Sequence, residues 1–456
     1  MNDKKFGHSD ILLGWPIVRE FEFRKPRFAK LRTKRGGAFG SAHTVRYSGD
    51  QHLLTVAPTG AGKGVAAVIP TLLTYNGSAI VIDIKGENFY TTARYRRETL
   101  GQNIYLFDPF NHCKEPVKAD IVRARLDPFK FIFGDGHANE ADCQAAAQML
   151  SMKSKVASGR DEWAIYWESL ATELLAGLIY VIYNHRSGST VDVLKVVFGD
   201  DLTGKISELS DRIRDGEVPD AEFAARAFTT FLEAREDSSK VVLTTLRSWV
   251  TGLKSEEVQH FLSDNSVPVG ELVEASPPFT IYFVIPPNKL DSQVGLMRLV
   301  VGSLLLCLLR RDRQVKPPTL MLLDECAQLG ELEELRRAIT LMRGVGLKVW
   351  MFFQDLSQLE RLYPDFETLV NNCGVFQSFG VSRNLLAEKI ARLVGKVSSD
   401  AIETLHTNQQ LLSLTGSQPL FAEKFCYFKD AIFSDRFDQN PSHRPASKPA
   451  EDDTNG

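Results

Sequence analysis

Residues 53–73 read LLTVAPTGAGKGVAAVIPTLL, and this stretch decides the fold class. The apolar run Leu53, Leu54 and Val56 predicts a short buried strand, and the apolar residues that follow Gly64 recur at helical spacing. A turn rich in glycine separates the two segments. A strand, a glycine-rich loop and a helix in this order place the N-terminus of the helix directly after the turn, where an anion can bind.

The glycine-rich loop has the features of a phosphate-binding site. Gly60 and Gly62 can adopt backbone conformations that are closed to other residues, so that successive N–H groups face one concavity, and Lys63 adds a positive charge. The positive end of the helix dipole points at the same place. The sequence therefore predicts a nucleotide-binding P-loop. Its residues would be Pro58, Thr59, Gly60, Ala61, Gly62, Lys63, Gly64 and Val65.

Two positions of this loop depart from the usual pattern. Ala57 stands where the first glycine is expected, and Gly64 replaces the Ser or Thr whose hydroxyl binds Mg²⁺. The metal would then be held by water, by a nearby hydroxyl such as that of Thr59, or by acidic residues elsewhere. An ordinary glycine turn in an α/β protein would give a similar local pattern. A second strand that ends in acidic residues is therefore needed to support the P-loop interpretation.

Such a strand lies far along the chain. The apolar residues 320–323 run directly into Asp324 and Glu325, which predicts a Walker-B element. Asp324 would bind Mg²⁺ directly or through water, and Glu325 would polarise the attacking water. A strand that merely ends in solvated acids is the alternative. Asp83, Lys85 and Asp108 also follow apolar runs, at the ends of strands where parallel sheets bind ligands.

Two further residues are candidates for a role in hydrolysis. Gln354 ends the apolar run 347–353, so its amide could hold the nucleophilic water or sense the γ-phosphate, or simply satisfy a loop. Arg343 precedes the same run on a glycine-flanked loop that we expect near an edge of the sheet. In a ring of subunits, Arg343 could reach the nucleotide of a neighbour as an arginine finger.

The composition is that of an ordinary soluble globular protein. The chain has 456 residues, 43% of them hydrophobic and 24% charged, which predicts two or three domains and excludes a fibrous or wholly disordered chain. The six cysteines include no CxxC pair, which argues against zinc sites and a disulfide framework and favours a reducing cytosol. No signal peptide is visible, and the longest apolar runs of about a dozen residues fall short of the ~20 of a membrane helix.

Strand and helix patterns alternate, except in one long helical stretch. They predict an α/β fold with a predominantly parallel sheet. We divide the chain into a basic, partly extended and poorly packed leader (1–50), a nucleotide-binding domain in two parts (51–135 and 276–437), an all-α domain inserted between them (136–275) and a disordered tail (438–456). In the inserted domain we expect Trp163, Trp167 and Trp249 to be core residues, and we expect the last strand of the sheet at 424–428.

Five separated segments, in order, resemble the motifs of the TraG-like coupling proteins of type IV secretion and conjugation systems. They are APTGAGKG, VIPTLLTYNGSAIVIDIKGENF, IYFVIPPNKL, LLDECAQLGEL and FFQDLSQLE. The GKG loop is itself the family's form, so Gly64 is no defect. The resemblance implies a RecA-like P-loop NTPase fold that binds ATP and Mg²⁺. It assigns the P-loop lysine to Lys63, the Walker-B pair to Asp324 and Glu325, the sensing glutamine to Gln354 and the trans arginine to Arg343.

The resemblance also implies a function and partners. Such proteins form a hexameric ring that couples ATP hydrolysis to the export of DNA with its attached relaxase, or of protein effectors, and we expect sequence-tolerant contact with nucleic acid. The alternative is a docking platform for effectors that binds nucleotide without acting as a motor. Family members usually begin with transmembrane helices, and we expect none in this sequence. We therefore expect a cytoplasmic protein at the inner face of the inner membrane, attached only indirectly and monomeric when isolated.

Overall fold

The structure is a computed structural model that describes residues 10–17, 44–114, 117, 119–134, 137–151, 162–186, 188–381 and 383–440. Residues 1–9 and 18–43 of the basic leader lie outside the described residues, as does the tail from residue 441 onward. The first residue of the segment expected to be disordered is ordered, because the Asp438 carboxylate accepts a hydrogen bond of 2.7 Å from Arg94.

A single sheet of twelve strands organises the described chain, in the order β2-β1-β12-β11-β10-β3-β9-β8-β4-β7-β5-β6. The strands are β1 (Ile11–Pro16), β2 (Val45–Tyr47), β3 (His52–Val56), β4 (Ala79–Asp83), β5 (Asn103–Phe107), β6 (Val122–Arg123), β7 (Phe279–Val284), β8 (Thr319–Leu323), β9 (Leu347–Phe353), β10 (Cys373–Ser378), β11 (Gln409–Leu414) and β12 (Leu420–Glu423).

The eight strands from β10 to β6 in this order are parallel to their neighbours, whereas β11, β12, β1 and β2 are joined by antiparallel pairing. The parallel strands end together, and we call their common end the carboxyl edge and the opposite end the amino edge. Strand β9 lies between β3 and β8, and β4 lies on the far side of β8. The residues that follow these four strands are therefore neighbours at the carboxyl edge.

Helices cover both faces of the sheet. They are α1 (Ile69–Leu72), α2 (Glu87–Glu98), α3 (Pro128–Phe133), α4 (Glu140–Leu150), α5 (Glu162–Arg186), α6 (Thr190–Phe198), α7 (Leu202–Arg214), α8 (Glu222–Leu232), α9 (Glu236–Val250), α10 (Glu256–Leu262), α11 (Val269–Glu274), α12 (Val294–Leu309), α13 (Glu333–Leu341), α14 (Leu356–Leu362), α15 (Phe366–Asn371), α16 (Asn384–Val394) and α17 (Ser399–Glu403). A π-helical segment, Gly64–Val68, leads directly into α1.

The sheet is buried on both faces because apolar residues occupy consecutive positions of its central strands. In β4, Ile80 and Ile82 face one core, while Ala79 and Val81 face the other. The first core includes α4, α5, α12, α13 and α14, and the second includes the P-loop helix and α2. The helix that follows the P-loop (residues 64–72, the P-loop helix) therefore packs with α2 on one face of the sheet. The helices between β6 and β7 pack on the opposite face.

The described residues between β6 and β7 form helices and loops without a strand. These helices share a continuous core with the sheet, and α4 packs closely on α12: a Cβ at Gly302 would lie 2.5 Å from Sδ of Met149. The boundaries of an inserted domain at 136 and 275 stay a prediction, since the packing runs across them.

Two expectations about the sheet were wrong. The leader is not poorly packed throughout, because Ile11, Leu12 and Leu13 are buried in β1, which pairs with β12 and β2. The last strand is Leu420–Glu423 rather than 424–428. The apolar residues after it, Phe425 and Tyr427, instead join a small core beside the P-loop helix.

The three tryptophans expected in the core of the inserted domain, Trp163, Trp167 and Trp249, differ in their surroundings. Trp249 is buried as expected. Trp163 is 66% exposed, and with Tyr166 and the half-buried Trp167 it lines a groove of about 610 Å³. The helical period showed which residues of α5 share a face, but not whether a neighbour covers that face in its first turns.

Two helices have the length and composition to span a membrane. They are Trp163–Asn184 and Asp291–Leu309. In the most apolar window of Asp291–Leu309, 78% is buried inside the protein, which is typical of the core helix of a soluble fold. In the corresponding window of Trp163–Asn184, half is buried. The expectation that this chain has no membrane helix stays a prediction.

Candidate nucleotide-binding site

The P-loop connects the end of β3 to the π-helical segment that begins at Gly64. Gly60 and Gly62 have φ angles of +80° and +89°, in the left-handed region that favours glycine. A Cβ at Gly60 or Gly64 would meet no heavy atom within 4 Å. The inner surface of the loop is therefore open, and the first N–H groups of the helix, which have no intrahelical partner, can face a ligand there.

Lys63 lies at the junction of loop and helix. Its Nζ donates a hydrogen bond of 3.2 Å to the Ala57 carbonyl, so the ammonium reaches back across the loop. The Ala57 amide donates to the Phe353 carbonyl at 2.9 Å and anchors the start of the loop to β9. The loop and its lysine are thus held against the end of the strand that precedes Gln354.

Asp324 follows β8 at the carboxyl edge. Burial raises the pKa of Asp324 to about 6, the Lys63 ammonium partly offsets that rise, and the Glu325 carboxylate adds to it. Lys63 and Asp324 are therefore electrostatic neighbours, although 260 residues separate them in the chain. Within the described residues, no hydrogen-bond donor reaches the buried Oδ1 of Asp324. A buried acceptor without a donor is costly, so this oxygen suits a bound cation.

Glu325 and Gln354 contact each other directly. Nε2 of Gln354 donates a hydrogen bond of 3.1 Å to Oε1 of Glu325. The backbone of Gln354 is fixed in turn, because its N–H donates to Oε1 of Gln358 at 2.9 Å. The glutamine that was expected to hold a water or sense a phosphate therefore orients the carboxylate that was expected to polarise the water.

Asp83 is a fifth polar residue at the same edge; the sequence placed it at a strand end where ligands bind but gave it no catalytic or metal-binding role. It ends β4, beside β8, and burial raises its pKa to about 7, with a smaller contribution from the Asp324 charge. The Phe89 amide donates to its Oδ2 at 2.9 Å. Its position after an apolar run was the available signal. Asp108, at the end of a strand farther out, instead accepts from the His112 and Cys113 amides.

Lys424 also reaches the P-loop. Its Nζ donates a hydrogen bond of 2.7 Å to the Ala61 carbonyl. No motif surrounds this lysine in the sequence, and it lies 363 residues after Ala61. Only the packing of the antiparallel strands beside β10 could reveal the contact.

Arg343 lies apart from these residues. It belongs to a short 3₁₀ helix, Met342–Val345, that precedes β9, and it is exposed. Its charge contributes to lowering the pKa of His52, the first residue of β3, which places it at the amino edge. The seven residues of β9 span roughly 20 Å. Arg343 therefore cannot reach the P-loop of its own chain.

A divalent cation would need ligands beyond the protein. Among the described residues no three His, Cys, Asp or Glu side chains lie together as a metal site. Mg²⁺ usually takes one or two carboxylates and completes its shell with phosphate oxygens and water. The single unpartnered oxygen of Asp324 fits that mode of binding, whereas it would not suit a metal held by protein ligands alone.

The arrangement at the carboxyl edge defines the class of protein. An open glycine loop with its lysine, a central strand that ends in Gln354 and a neighbouring strand that ends in two acids meet at one place on a largely parallel sheet. This chain has the fold of a RecA-like P-loop NTPase.

Comparison with known sequences identifies the family. Residues 21–400 match the family described as type IV secretory system conjugative DNA transfer, and the chain belongs to that family. It is 27% identical over 377 residues to the conjugal transfer protein TraG of Escherichia coli and 29% identical over 392 residues to the protein VirD4 of Agrobacterium fabrum. These alignments cover 78% and 82% of this chain but 57% and 53% of the relatives. The chain thus spans little more than half of their length.

Solved structures confirm the predicted fold. The bacterial conjugative coupling protein TrwBΔN70, solved in complex with sulphate, has a TM-score of 0.63 at 19% identity, covering 82% of this chain and 85% of that one. The plasmid coupling protein TrwB in complex with ADP and Mg²⁺ has a TM-score of 0.62 at 18% identity, covering 83% and 86%.

Proposed function

We propose that this protein is an ATPase that recruits DNA, with or without attached protein, or protein effectors, and drives their export through a type IV secretion apparatus. The observation that carries the proposal is the meeting of Lys63, Asp324 and the Glu325–Gln354 pair at one edge of the sheet. Membership of the conjugative DNA transfer family supports the transport role. The solved complex of TrwB with ADP and Mg²⁺ supports the choice of ligands.

The P-loop would bind the β- and γ-phosphates. The N–H groups at the start of the helix face the phosphate oxygens, and the Lys63 ammonium exchanges the Ala57 carbonyl for them. Asp324 would hold Mg²⁺, directly or through water, next to the same oxygens. Bound there, Mg²⁺ neutralises part of the charge on the triphosphate.

Glu325 would orient the water that attacks the γ-phosphorus in line with the leaving ADP. The Gln354 amide restrains the carboxylate through its 3.1 Å hydrogen bond, so that the oxygen facing the water keeps one direction. When the γ-phosphate departs, the charge beside Glu325 changes and this hydrogen bond is free to rearrange. Gln354 directly follows β9 and Arg343 precedes the same strand, so the site is connected to the amino edge through one strand.

Arg343 would act in a neighbouring copy of the chain. Because it is exposed at the amino edge, roughly 20 Å from its own site, it can contribute to hydrolysis only in an assembly, for which a hexameric ring is our proposal. In the cell we place this assembly at the cytoplasmic face of the inner membrane, attached through partner proteins. Contact with nucleic acid would be mainly with phosphates, hence tolerant of sequence and weakened by salt.

Phosphate release tests the enzyme directly. We expect Mg²⁺-dependent release, stimulated by single-stranded DNA, to fall at least about 10²-fold in Lys63→Ala and Glu325→Gln, because each removes an interaction that stabilises the transition state. The exposed Lys130 and Glu403 provide matched controls, and Lys130→Ala and Glu403→Gln should behave as wild type.

The second candidate function is a docking platform that binds nucleotide without turnover. The observation behind it is Gly64: the GKG loop is the family's form, but it supplies no hydroxyl to Mg²⁺. Tight nucleotide binding that Lys63→Ala abolishes, combined with equally slow phosphate release in wild type and Glu325→Gln, would support the platform and contradict the motor.

A further inference from the structure

The outer side of the P-loop is held by residues from the antiparallel part of the sheet. Lys424 follows β12, and its Nζ donates a hydrogen bond of 2.7 Å to the Ala61 carbonyl. The backbone N–H of Lys424 donates to the Asn408 carbonyl, also at 2.7 Å, beside the start of β11. The lysine is therefore fixed at its backbone and at its ammonium.

A second segment packs against the same loop. The Lys424 ammonium lies 4.6 Å from the centroid of the Phe379 ring. Phe379 directly follows β10, which pairs with β3, the strand that leads into the P-loop. The next residue, Gly380, approaches the loop so closely that a Cβ there would lie 2.6 Å from Cβ of Ala61. The ring and the close backbone contact restrict where the Lys424 side chain can go.

The ammonium lacks an acidic partner in the part of the chain that the structure describes. Burial lowers the pKa of this ammonium. Its hydrogen-bond acceptor is a neutral carbonyl. The positive charge is thus held beside the loop without being neutralised there.

The hydrogen bond to Ala61 fixes one peptide unit of the loop. In a trans peptide the carbonyl of residue 61 and the N–H of residue 62 point in opposite directions within one plane. If Lys424 holds the Ala61 carbonyl outward, the Gly62 N–H must face the other way. Gly62 has a φ of +89°, and a Cβ there would meet only Nζ of Lys424, at 4.0 Å, so no other group crowds this peptide.

We propose that Lys424 is a positioning residue of the nucleotide site: it holds the Ala61 carbonyl so that the Gly62 N–H faces the phosphates, and it adds positive charge behind the loop. The inference rests on the proposed function, since it assumes that the P-loop binds a triphosphate. Lys424 also connects the nucleotide site to strands β11 and β12, because it directly follows β12 and its N–H bonds to Asn408 beside β11. Movement of these strands would change the affinity of the loop for phosphate.

The test compares nucleotide affinity in three variants. Lys424→Met keeps the length of the side chain and removes the charge, and we expect it to weaken binding of ATP and ADP about tenfold, the usual effect of losing a hydrogen bond to a charged group. Lys424→Arg should restore affinity to within about threefold, because a guanidinium can also donate to the carbonyl. Lys429→Met is the matched control, since Lys429 also lies over a ring, that of Phe428, but is exposed.

Steady-state kinetics and thermal unfolding of the same proteins complete the test. We expect KM for ATP to rise about tenfold in Lys424→Met with kcat changed less than threefold, and the unfolding temperature without nucleotide to stay at the wild-type value. A purely structural role would instead lower the unfolding temperature in Lys424→Met and affect kcat and KM alike, and that result would overturn the inference.

The outcomes separate this inference from the proposed function. Wild-type binding that Lys63→Ala abolishes, together with unchanged binding in Lys424→Met, overturns the role of Lys424 and leaves the ATPase intact. A wild-type chain that binds no nucleotide overturns both. Equal loss of nucleotide affinity in Lys424→Met and Lys424→Arg also contradicts the positioning role of Lys424, because arginine keeps the charge and the hydrogen-bond donor.

Discussion

The two edges of the central sheet carry similar kinds of residues in opposite states. At the carboxyl edge, Asp324 is buried with an oxygen that no donor in the described chain satisfies, and Lys63 bonds only to a loop carbonyl. At the amino edge, Nδ1 of His52 accepts from the Val349 amide, and Arg311 donates to the Gly346 carbonyl and to three other acceptors. At the carboxyl edge the unpartnered atom belongs to an ionisable carboxylate, whereas at the amino edge the Arg311 cation has four acceptors and the unpartnered atom is Nε2 of the His52 ring.

This difference shows where each edge can act. A ligand completes the carboxyl edge within one chain, because the ends of β3, β9, β8 and β4 supply its polar groups together. The amino edge offers Arg343, which is exposed on its 3₁₀ helix. Under the proposed function, Arg343 would complete the site of another copy but not its own.

The largest expected effect concerns Arg343. We expect Arg343→Ala to lower ATP hydrolysis about 10³-fold under conditions in which copies assemble, since an arginine finger contributes 10³ to 10⁵ to kcat. The affinity of isolated chains for ATP should not change. Arg337→Ala, at another exposed arginine on the preceding helix, is the control. Equal loss of hydrolysis in both variants would contradict a specific role for Arg343.

The next effect is on stability at the amino edge. Arg311 is buried and donates to the carbonyls of Gly346, Leu272 and Val273 and to the Thr319 hydroxyl. We expect Arg311→Met to lower the free energy of unfolding by roughly 4 kcal/mol, because several buried acceptors lose their donor at once. Urea denaturation measures the change. The exposed Arg313 provides the control, and Arg313→Met should change the stability by less than about 0.5 kcal/mol.

Acid should weaken the same edge through His52. Burial, with the charges of Lys348 and Arg343, lowers the pKa of His52 to about 4. Because this pKa lies below that of the unfolded chain, the stabilising contribution is complete above about pH 6.5 and is lost as the pH falls towards 4, on the order of 3 kcal/mol in total. His52→Gln should lose this part of the pH dependence. Urea denaturation at pH 6.5, 5.5 and 4.5 measures the free energy of unfolding of both proteins. The same decrease with falling pH in wild type and His52→Gln would contradict the assignment to His52.

The smallest effect has the opposite sign and belongs to the carboxyl edge. We expect Asp324→Asn to raise the free energy of unfolding by about 1 kcal/mol in the absence of nucleotide, because the amide avoids the cost of burying a charge. The same variant should lose Mg²⁺-dependent phosphate release. Reduced stability in Asp324→Asn would show that the carboxylate is satisfied in the ligand-free protein, and would remove the contrast between the edges.

The sequence predicts most of the carboxyl edge because its signals are local. The apolar run 347–353 coincides with β9, and Gln354 follows it as expected. Once the sheet is parallel, the residues that follow such runs lie at the same edge, and the strand order β3-β9-β8 then makes Asp324 and Lys63 neighbours. The family could be recognised from the sequence because its motifs occur in the expected order.

Other parts depend on packing that no local pattern records. Lys424 reaches the P-loop because β12 and β11 are joined through β10 to β3, and the parallel pair β10–β3 brings together residues that are hundreds of positions apart. Ile11–Pro16 is a short apolar segment in a basic leader, and it becomes a buried strand because β12 and β2 flank it. Trp163 was assigned to the core from helical spacing, which does not say whether a face is covered.

A structure of the protein with Mg²⁺ and a non-hydrolysable ATP analogue tests the central claim most directly. We predict that Nζ of Lys63 lies within hydrogen-bonding distance of the β- and γ-phosphate oxygens. Asp324 should lie next to the metal ion, directly or through one water, and Glu325 beside the γ-phosphate. An analogue bound away from the P-loop, or phosphates out of reach of Asp324 and Glu325, would contradict the account.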